Sequence, residues 1–359
     1  MNYKALLFLC ITVGIFSCKP KEKTAAVNYD NFLNEYIDST VSPGEDFFKF
    51  AMGKWLKNNP IPESERSWGI WTLVNEENYS RIRKINEEAA ANTKAKKGSN
   101  EQKIGDFWFT GMDTVTIEKQ GITPLKPELD KIAAISDPQG VIKMASYLHT
   151  MQVQPLFGNY IFQDEKNSNK FRLHFYQGGI GLPDRDYYFD KDERTVTIRN
   201  EYVKHISKMF QLTGIDAATA DTYAQTIMKM ETDFAGASRK LADLRDPYAN
   251  YNSMAVADVN KLCPAINWES FLADAGIKNI DTIIVGQPEF FKQLNTSLTK
   301  ESVDNWKIYL QWNLINAYAD RLSSDFDKEH FHFYGTILNG TKEQRARWKR
   351  VLDAEEDAM

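Results

Sequence analysis

The chain has 359 residues, 42% hydrophobic and 26% charged, a balance that fits a globular protein of one large or two ordinary domains. Its 44 basic and 49 acidic residues leave a net charge of -5, and no basic stripe stands out, which argues against nucleic acid as a partner. Aromatic residues reach 13%, enough for a sizeable core with some left for a binding surface.

The chain opens with Lys4 and an apolar run, Ala5 to Phe16, that is too short to span a bilayer as a stable helix. The run closes at Ile15-Phe16-Ser17-Cys18. Residues 1–18 therefore read as a secretory signal whose cleavage leaves Cys18 at the new N-terminus. A cysteine there fits a bacterial lipobox, in which the thiol is acylated; an ordinary signal peptide with an incidental Cys is the alternative. Residues 19–28, with Lys19, Lys21 and Lys23, form the expected flexible tether to a folded domain over 29–359. The expectation is an exported protein, lipid-anchored through Cys18 in the bacterial cell envelope, in the periplasm or outer membrane. With Cys10 and Cys18 so assigned, Cys263 has no partner for an internal disulfide and reads as a small buried hydrophobe.

Ser42-Pro43-Gly44-Glu45 has the form of a capping box, and Phe47, Phe48, Ala51, Met52, Trp55 and Leu56 follow at helical spacing until Asn58-Asn59-Pro60. A second helix follows Gly69, with Ile70, Leu73, Val74, Ile82 and Ile85 expected to face inward. Ile104 to Met112 marks a third, Pro124-Leu125 opens a fourth with Leu129, Ile132 and Ala133 inside, and Val141 to Leu148 makes a fifth. The period then changes from 3.6 to 2. Leu156–Phe162 and Phe171–Tyr176 predict a hairpin, and Gly178–Pro183 a glycine-rich turn. Helical spacing returns at Tyr202–Leu212, in a long helix expected from Ala217 to Leu244, and at Trp268–Ala275, Pro288–Leu294 and Val303–Leu322. The fold class is thus mainly α, a multi-helix lobe with a small β-hairpin.

No H-E-x-x-H, G-x-S-x-G, Walker loop or dinucleotide fingerprint occurs. Among the five histidines only Glu329-His330-Phe331-His332 has even a faint metal-ligand look, and two histidines at i and i+2 point apart on a helix. Spacing alone reveals no catalytic centre.

Several strings are more specific. They are Ser42-Pro43-Gly44-Glu45-Asp46-Phe47-Phe48, Gly53-Lys54-Trp55, Ile61-Pro62 with Ser67-Trp68-Gly69, Lys103-Ile104-Gly105-Asp106-Phe107-Trp108, and Gly121-Ile122-Thr123-Pro124-Leu125. Gly181-Leu182-Pro183-Asp184-Arg185-Asp186-Tyr187-Tyr188, Asn267-Trp268, Gln287-Pro288-Glu289-Phe290-Phe291 and Arg347-Trp348-Lys349-Arg350 continue the series. In this order they resemble the N-terminal region of the neprilysin and endothelin-converting-enzyme family of zinc metallopeptidases.

The resemblance implies the N-terminal half of a two-lobed peptidase whose lobes enclose a chamber for peptides. It implies zinc ligands and general base in a C-terminal domain that is not in this chain, so no catalytic or metal residue and no cofactor is carried over. Alone, the chain is expected to be inactive; the implied partners are peptide substrates, the C-terminal catalytic half, and the membrane through the lipid at Cys18. The family places an aromatic near the pocket beyond the scissile bond, by position Trp71; the other reading is that Trp71 packs the second helix. Family arginines that hold a peptide's C-terminal carboxylate fall on Ser67 and Asn75, and Arg66, one residue from the first, is the candidate to take that task. Two rival readings remain at this point. One is a non-catalytic peptide- or glycan-binding envelope lipoprotein. The other is a degenerate fragment with no stable fold.

Overall fold

The computed structural model describes residues 32–358. The signal segment, Cys18 and the tether lie outside the described residues. The chain divides into two compact units at Ile61/Pro62.

In the first unit, a short 3-10 turn at Phe32–Glu35 precedes α1, Phe47–Asn58. The capping box expected at Ser42 does not form. Ser42–Glu45 is a turn, and Asp46 caps the helix by accepting the Lys49 N–H at 2.9 Å. A carboxylate one residue before the apolar run meets the free N–H groups more directly than a hydroxyl four residues upstream. Asp38 is buried and holds Lys57 at 2.7 Å; this bond and those from Thr40 keep its carboxyl at about 2. Of the predicted inward stripe only Trp55 is buried, while Phe47 and Phe48 are exposed.

The second unit begins with a helical layer: α2 (Ile70–Ala91), α3 (Asn100–Met112) and α4 (Thr114–Gln120). Trp108 of α3 packs with Val351 and Leu352 of the last helix, Arg347–Ala358, in a small core that Tyr79 and Trp348 border. The main core follows. The short α5 (Lys126–Ala133) buries Ile132, although Ala133 is exposed, and α6 (Pro138–Thr150) starts at the Asp137 cap. The predicted hairpin forms as β1 (Gly158–Asp164) and β2 (Asn167–Tyr176), paired antiparallel from Gly158↔Tyr176 to Gln163↔Phe171.

The sheet is larger than a hairpin. After α7 (Asp186–Phe189), α8 (Glu193–Leu212) and α9 (Ala217–Ala237), the chain returns as β3 (Ser253–Ala255), α10 (Val256–Leu262), α11 (Trp268–Asp274) and β4 (Thr282–Val285). β4 pairs parallel to β2 and antiparallel to β3, giving the order β1-β2-β4-β3. Ile283, Ile284 and Val285 are all buried, so β4 lacks the alternation that marked β2. The long helix ends at Ala237 rather than Leu244: Ser238 breaks it, and Leu241 is exposed.

The chain closes through α12 (Pro288–Lys300), α13 (Val303–Tyr318), α14 (Ser324–His330), a π-helical turn at Phe331–Ile337, and α15 (Arg347–Ala358). Under the sheet, Phe157, Phe175, Trp268, Phe271 and Phe291 form one aromatic cluster, with Phe157 centroids 4.8 to 5.5 Å from the other four. Cys263 is fully buried, and burial pushes its thiol up to about 12, as suits a packing residue.

Candidate functional site

The segment leading into α2 is pinned to the far end of the chain. The Glu63 carbonyl accepts the Lys342 and Glu343 N–H groups at 3.0 and 3.2 Å, and Lys342 Nζ reaches the Glu63 carboxylate at 2.9 Å. Arg345 Nε lies 3.2 Å from Glu65 Oε1. These contacts hold residues 63–67 against the segment 342–345, beside an open cleft of ≈ 410 Å³ lined among others by Arg66, Ser67, Asp320, His330, Arg345 and Arg350.

The charges at this cavity are not equivalent. Arg345 is paired with Glu65 and with Asp353, the latter at 2.8 Å, and Arg350 donates to Asp327 at 3.0 Å. Arg66 donates only to the neutral amide of Asn339, at 2.5 Å. Among the described residues, its positive charge has no acidic partner. Burial holds His330 below its ordinary value, with Asp320 opposing, and its ring packs tilted at 40° to Tyr334, 4.7 Å between centroids. An acceptor arriving at Arg66 thus meets a planar fork able to take a carboxylate by two bonds.

Trp71 stands one turn beyond, on α2. It is 81% exposed and does not line the cavity. Ser67 lines the cavity, whereas Asn75 is exposed on α2. The inward stripe expected on this helix is a correction: Ile70, Leu73, Val74, Ile82 and Ile85 are 39 to 54% exposed, and the buried positions are Asn86 and Ala89. Tyr79, Asn86 and Ala89 give α2 its contact with α3 and α15, so the stripe faces outward as a row of apolar groups.

The described residues contain no group of three or more His, Cys, Asp or Glu placed to hold a metal ion. In Glu329-His330-Phe331-His332 the side chains diverge on helix: Glu329 bonds His205 Nδ1 at 2.9 Å, His330 packs tilted against Tyr334, and His332 is exposed.

The Gly181–Tyr188 turn surrounds a buried carboxylate. Glu231 Oε2 accepts the Tyr188 hydroxyl at 2.6 Å and the Gly181 N–H at 3.2 Å; Oε1 accepts the Tyr202 hydroxyl at 3.0 Å and Trp312 Nε1 at 3.2 Å. Burial outweighs these four donors and raises Glu231 to about 7. Gly181 serves here by close approach rather than by a left-handed turn: a Cβ would lie 1.9 Å from the Tyr202 hydroxyl, and its φ is not positive. Asp184 and Asp186 pair locally with the turn's own backbone and with Arg185. The turn is structural.

Arg345, Arg350, Asp320 and Asn339 escaped sequence reasoning as cavity residues. Only the Arg347–Arg350 string hinted at them, because their meeting with Arg66 spans more than 250 positions.

The family model described as peptidase family M13 matches residues 43–359. Endothelin-converting enzyme 1 of Rattus norvegicus is 28% identical over 347 residues, covering 93% of this chain and 45% of that protein. Neprilysin-3 of Drosophila melanogaster is 29% identical over 311 residues, covering 81% and 39%. Zinc metalloprotease Zmp1 of Mycobacterium tuberculosis, solved with an inhibitor, superposes with a TM-score of 0.86 at 29% identity, over 91% of this chain and 50% of that one. PepO of Lactobacillus rhamnosis shares the fold, with a TM-score of 0.76 at 15% identity. The chain therefore spans about half the length of the relatives it matches.

Proposed function

Because the chain belongs to peptidase family M13 and corresponds to the N-terminal region of its neprilysin-like zinc metallopeptidases, we propose that it supplies the chamber wall and substrate contacts of a peptide-hydrolysing enzyme. Zinc, when bound in such an enzyme, activates water for attack on the peptide bond. The described residues offer no donor set for it, so the ligands would come from the family's other half.

The part played by this chain is recognition. Arg66 takes the carboxylate at the end of a peptide. Trp71 presents its indole to the side chain beyond the cleaved bond. The outward stripe of α2, from Ile70 to Ile85, lines the space between the lobes. The observation that carries this reading is the uncompensated guanidinium of Arg66 at the rim of the cavity.

Calorimetric titration of the chain with a short peptide and with its C-terminally amidated twin tests the assignment. The free acid is expected to bind about tenfold more tightly, and Arg66→Ala to abolish the difference. A preference that survives Arg66→Ala sinks the carboxylate role. A second assay addresses the metal: robust, chelator-sensitive cleavage by this chain alone with added zinc would overturn the placement of the ligands elsewhere.

The same reading puts the protein in the cell envelope, held by acylated Cys18, on the strength of the signal-like segment before it. Incorporation of labelled palmitate that persists in Cys18→Ala would remove that support.

A further inference from the structure

One face of the β1–β2 hairpin carries a row of aromatic side chains that the peptidase reading does not use. Tyr160 and Tyr176, 47% and 38% exposed, stand 5.6 Å apart, and Phe162 continues the row 6.4 Å from Tyr160. Residues two apart on a strand share a face, so Tyr160 and Phe162 line up along β1. Gly158 makes room for the third ring: a Cβ there would lie about 2 Å from the Tyr176 ring atoms, so Tyr176 rests flat across the strand. Beneath Tyr160 lies the imidazole of His174, stacked at 4.7 Å and 11°. His174 is only 3% exposed, its Nε2 has no partner, and its nearest carboxylate is Glu165, 3.8 Å from Nδ1.

Tyr160, Glu165, His174 and Tyr176 line a cleft of ≈ 350 Å³, with Phe162 outside its lining. Arg245, at the end of the 3-10 turn Asp243–Arg245, with Pro247, Gln177, Asn250 and Gln287, also lines it. The three amides are spent on the fold: Gln287 accepts the Gln177 N–H at 2.8 Å and donates to Asn250 at 2.7 Å. That leaves the groups free to meet a ligand as the Tyr160 ring and hydroxyl, the Glu165 carboxylate and the Arg245 guanidinium. No side-chain hydrogen bond or ion pair engages Arg245 among the described residues.

This set selects by chemistry. Glu165 and Arg245 together leave the cleft without net charge, so it holds no overall attraction for a net anion or a net cation. The exposed tyrosine faces favour a flat, weakly polar surface. The ligand must also offer donors to Glu165 and acceptors to Arg245 at its rim. A neutral sugar ring has all three properties, with C–H groups on its faces and hydroxyls around its edge. We propose that this cleft binds an uncharged saccharide, one pyranose ring stacked on Tyr160 and held at its rim by Glu165 and Arg245, with the row through Phe162 extending the platform for a longer chain.

The test is saturation-transfer NMR and calorimetry on the full chain, with trisaccharides of glucose and of N-acetylglucosamine as probes and the neutral zwitterion Gly-Phe as the rival. At least one trisaccharide is expected to bind saturably. Tyr160→Ala and Arg245→Ala should each weaken that binding about tenfold, the scale of one lost stacking or charged hydrogen-bond contact. Phe109→Ala, at an exposed aromatic far from the hairpin in sequence, should leave it unchanged. Thermal melting accompanies each variant, and Arg245→Ala, at an exposed position ending a short 3-10 turn, keeps the test sound if Tyr160→Ala melts early. No saturation transfer to either trisaccharide, equal transfer from Arg245→Ala, or tighter binding of Gly-Phe than of both sugars overturns the proposal.

Discussion

The Tyr188 hydroxyl lies 2.6 Å from a Glu231 carboxylate oxygen, and both groups are cut off from water. The Gly181–Tyr188 turn, α8, α9 and α13 all converge on that one carboxylate.

The first prediction concerns pH. Glu231 is raised in the folded chain to about 7, from an ordinary 4.5. A raised acid favours the folded state most when protonated. Its contribution is fully present below 4.5 and is lost as pH climbs through about 7. The Glu231 share of stability, read as the difference between parent and Glu231→Gln, should therefore decline over that window by on the order of 3 kcal/mol, against an opposite share from His149. Glu231→Gln should flatten the decline, whatever its effect on the absolute midpoint. A decline of equal size in the variant would assign it to other groups.

The second concerns the turn. Gly181→Ala drives a methyl into the Tyr202 hydroxyl and breaks its bond to Glu231, at a cost of roughly 2 kcal/mol or more. Gly69→Ala, where a Cβ meets nothing within 4 Å, serves as the control and should melt near the parent. Equal midpoints for the two variants would mean that the turn yields where the packing says it cannot.

The third covers nearly the same pH window with the opposite sign. His149 is buried between Phe157 and Phe271, and burial lowers it to about 4 from 6.5. A base lowered in this way stabilises the fold above 6.5, and that contribution is lost as pH falls toward 4. His149→Leu should retain more of its neutral-pH stability at pH 4.5 than the parent does, read from paired denaturant titrations. A parallel loss in both proteins would exclude His149 from the acid limb.

The fourth concerns α2. Ile82 and Ile85 are 45% and 54% exposed, so Ile82→Glu should change unfolding free energy by no more than about 0.5 kcal/mol while reducing self-association in sedimentation. A drop of several kcal/mol would show that this stripe is packed after all.

Much of the helical scaffold was legible. The cores of α3, α6, α8 and α13 announced themselves through 3.6-residue spacing, and the hairpin through spacing of two. What misled was the sign of the spacing at α2. Periodicity says that one face is apolar, but not whether anything covers it, and Ile70 to Ile85 carry the pattern of a core stripe without being buried. β4 was hidden for a different reason: Ile283-Ile284-Val285 is buried on both faces and gives no alternation. α14 and the π-helical turn, at 7 residues each, are too short for their spacing to mark them. Arg66 could be singled out from its place beside Ser67, but Asn339, Arg345 and Arg350 could not, since no local pattern ties position 66 to the 340s.

The parallel pairing of β2 with β4 has a temporal consequence. Leu173 waits for Ile283, more than a hundred positions later, before its open edge is satisfied. Closing so long a loop is entropically slow, and the α8–α9 pair that fills it consists of neighbours able to assemble quickly by themselves. As the chain leaves the ribosome, the hairpin must therefore sit with an unzipped flank until residue 285 emerges. Capture of that flank by another nascent chain, rather than loss of any helix, is the misstep to which this topology is most open.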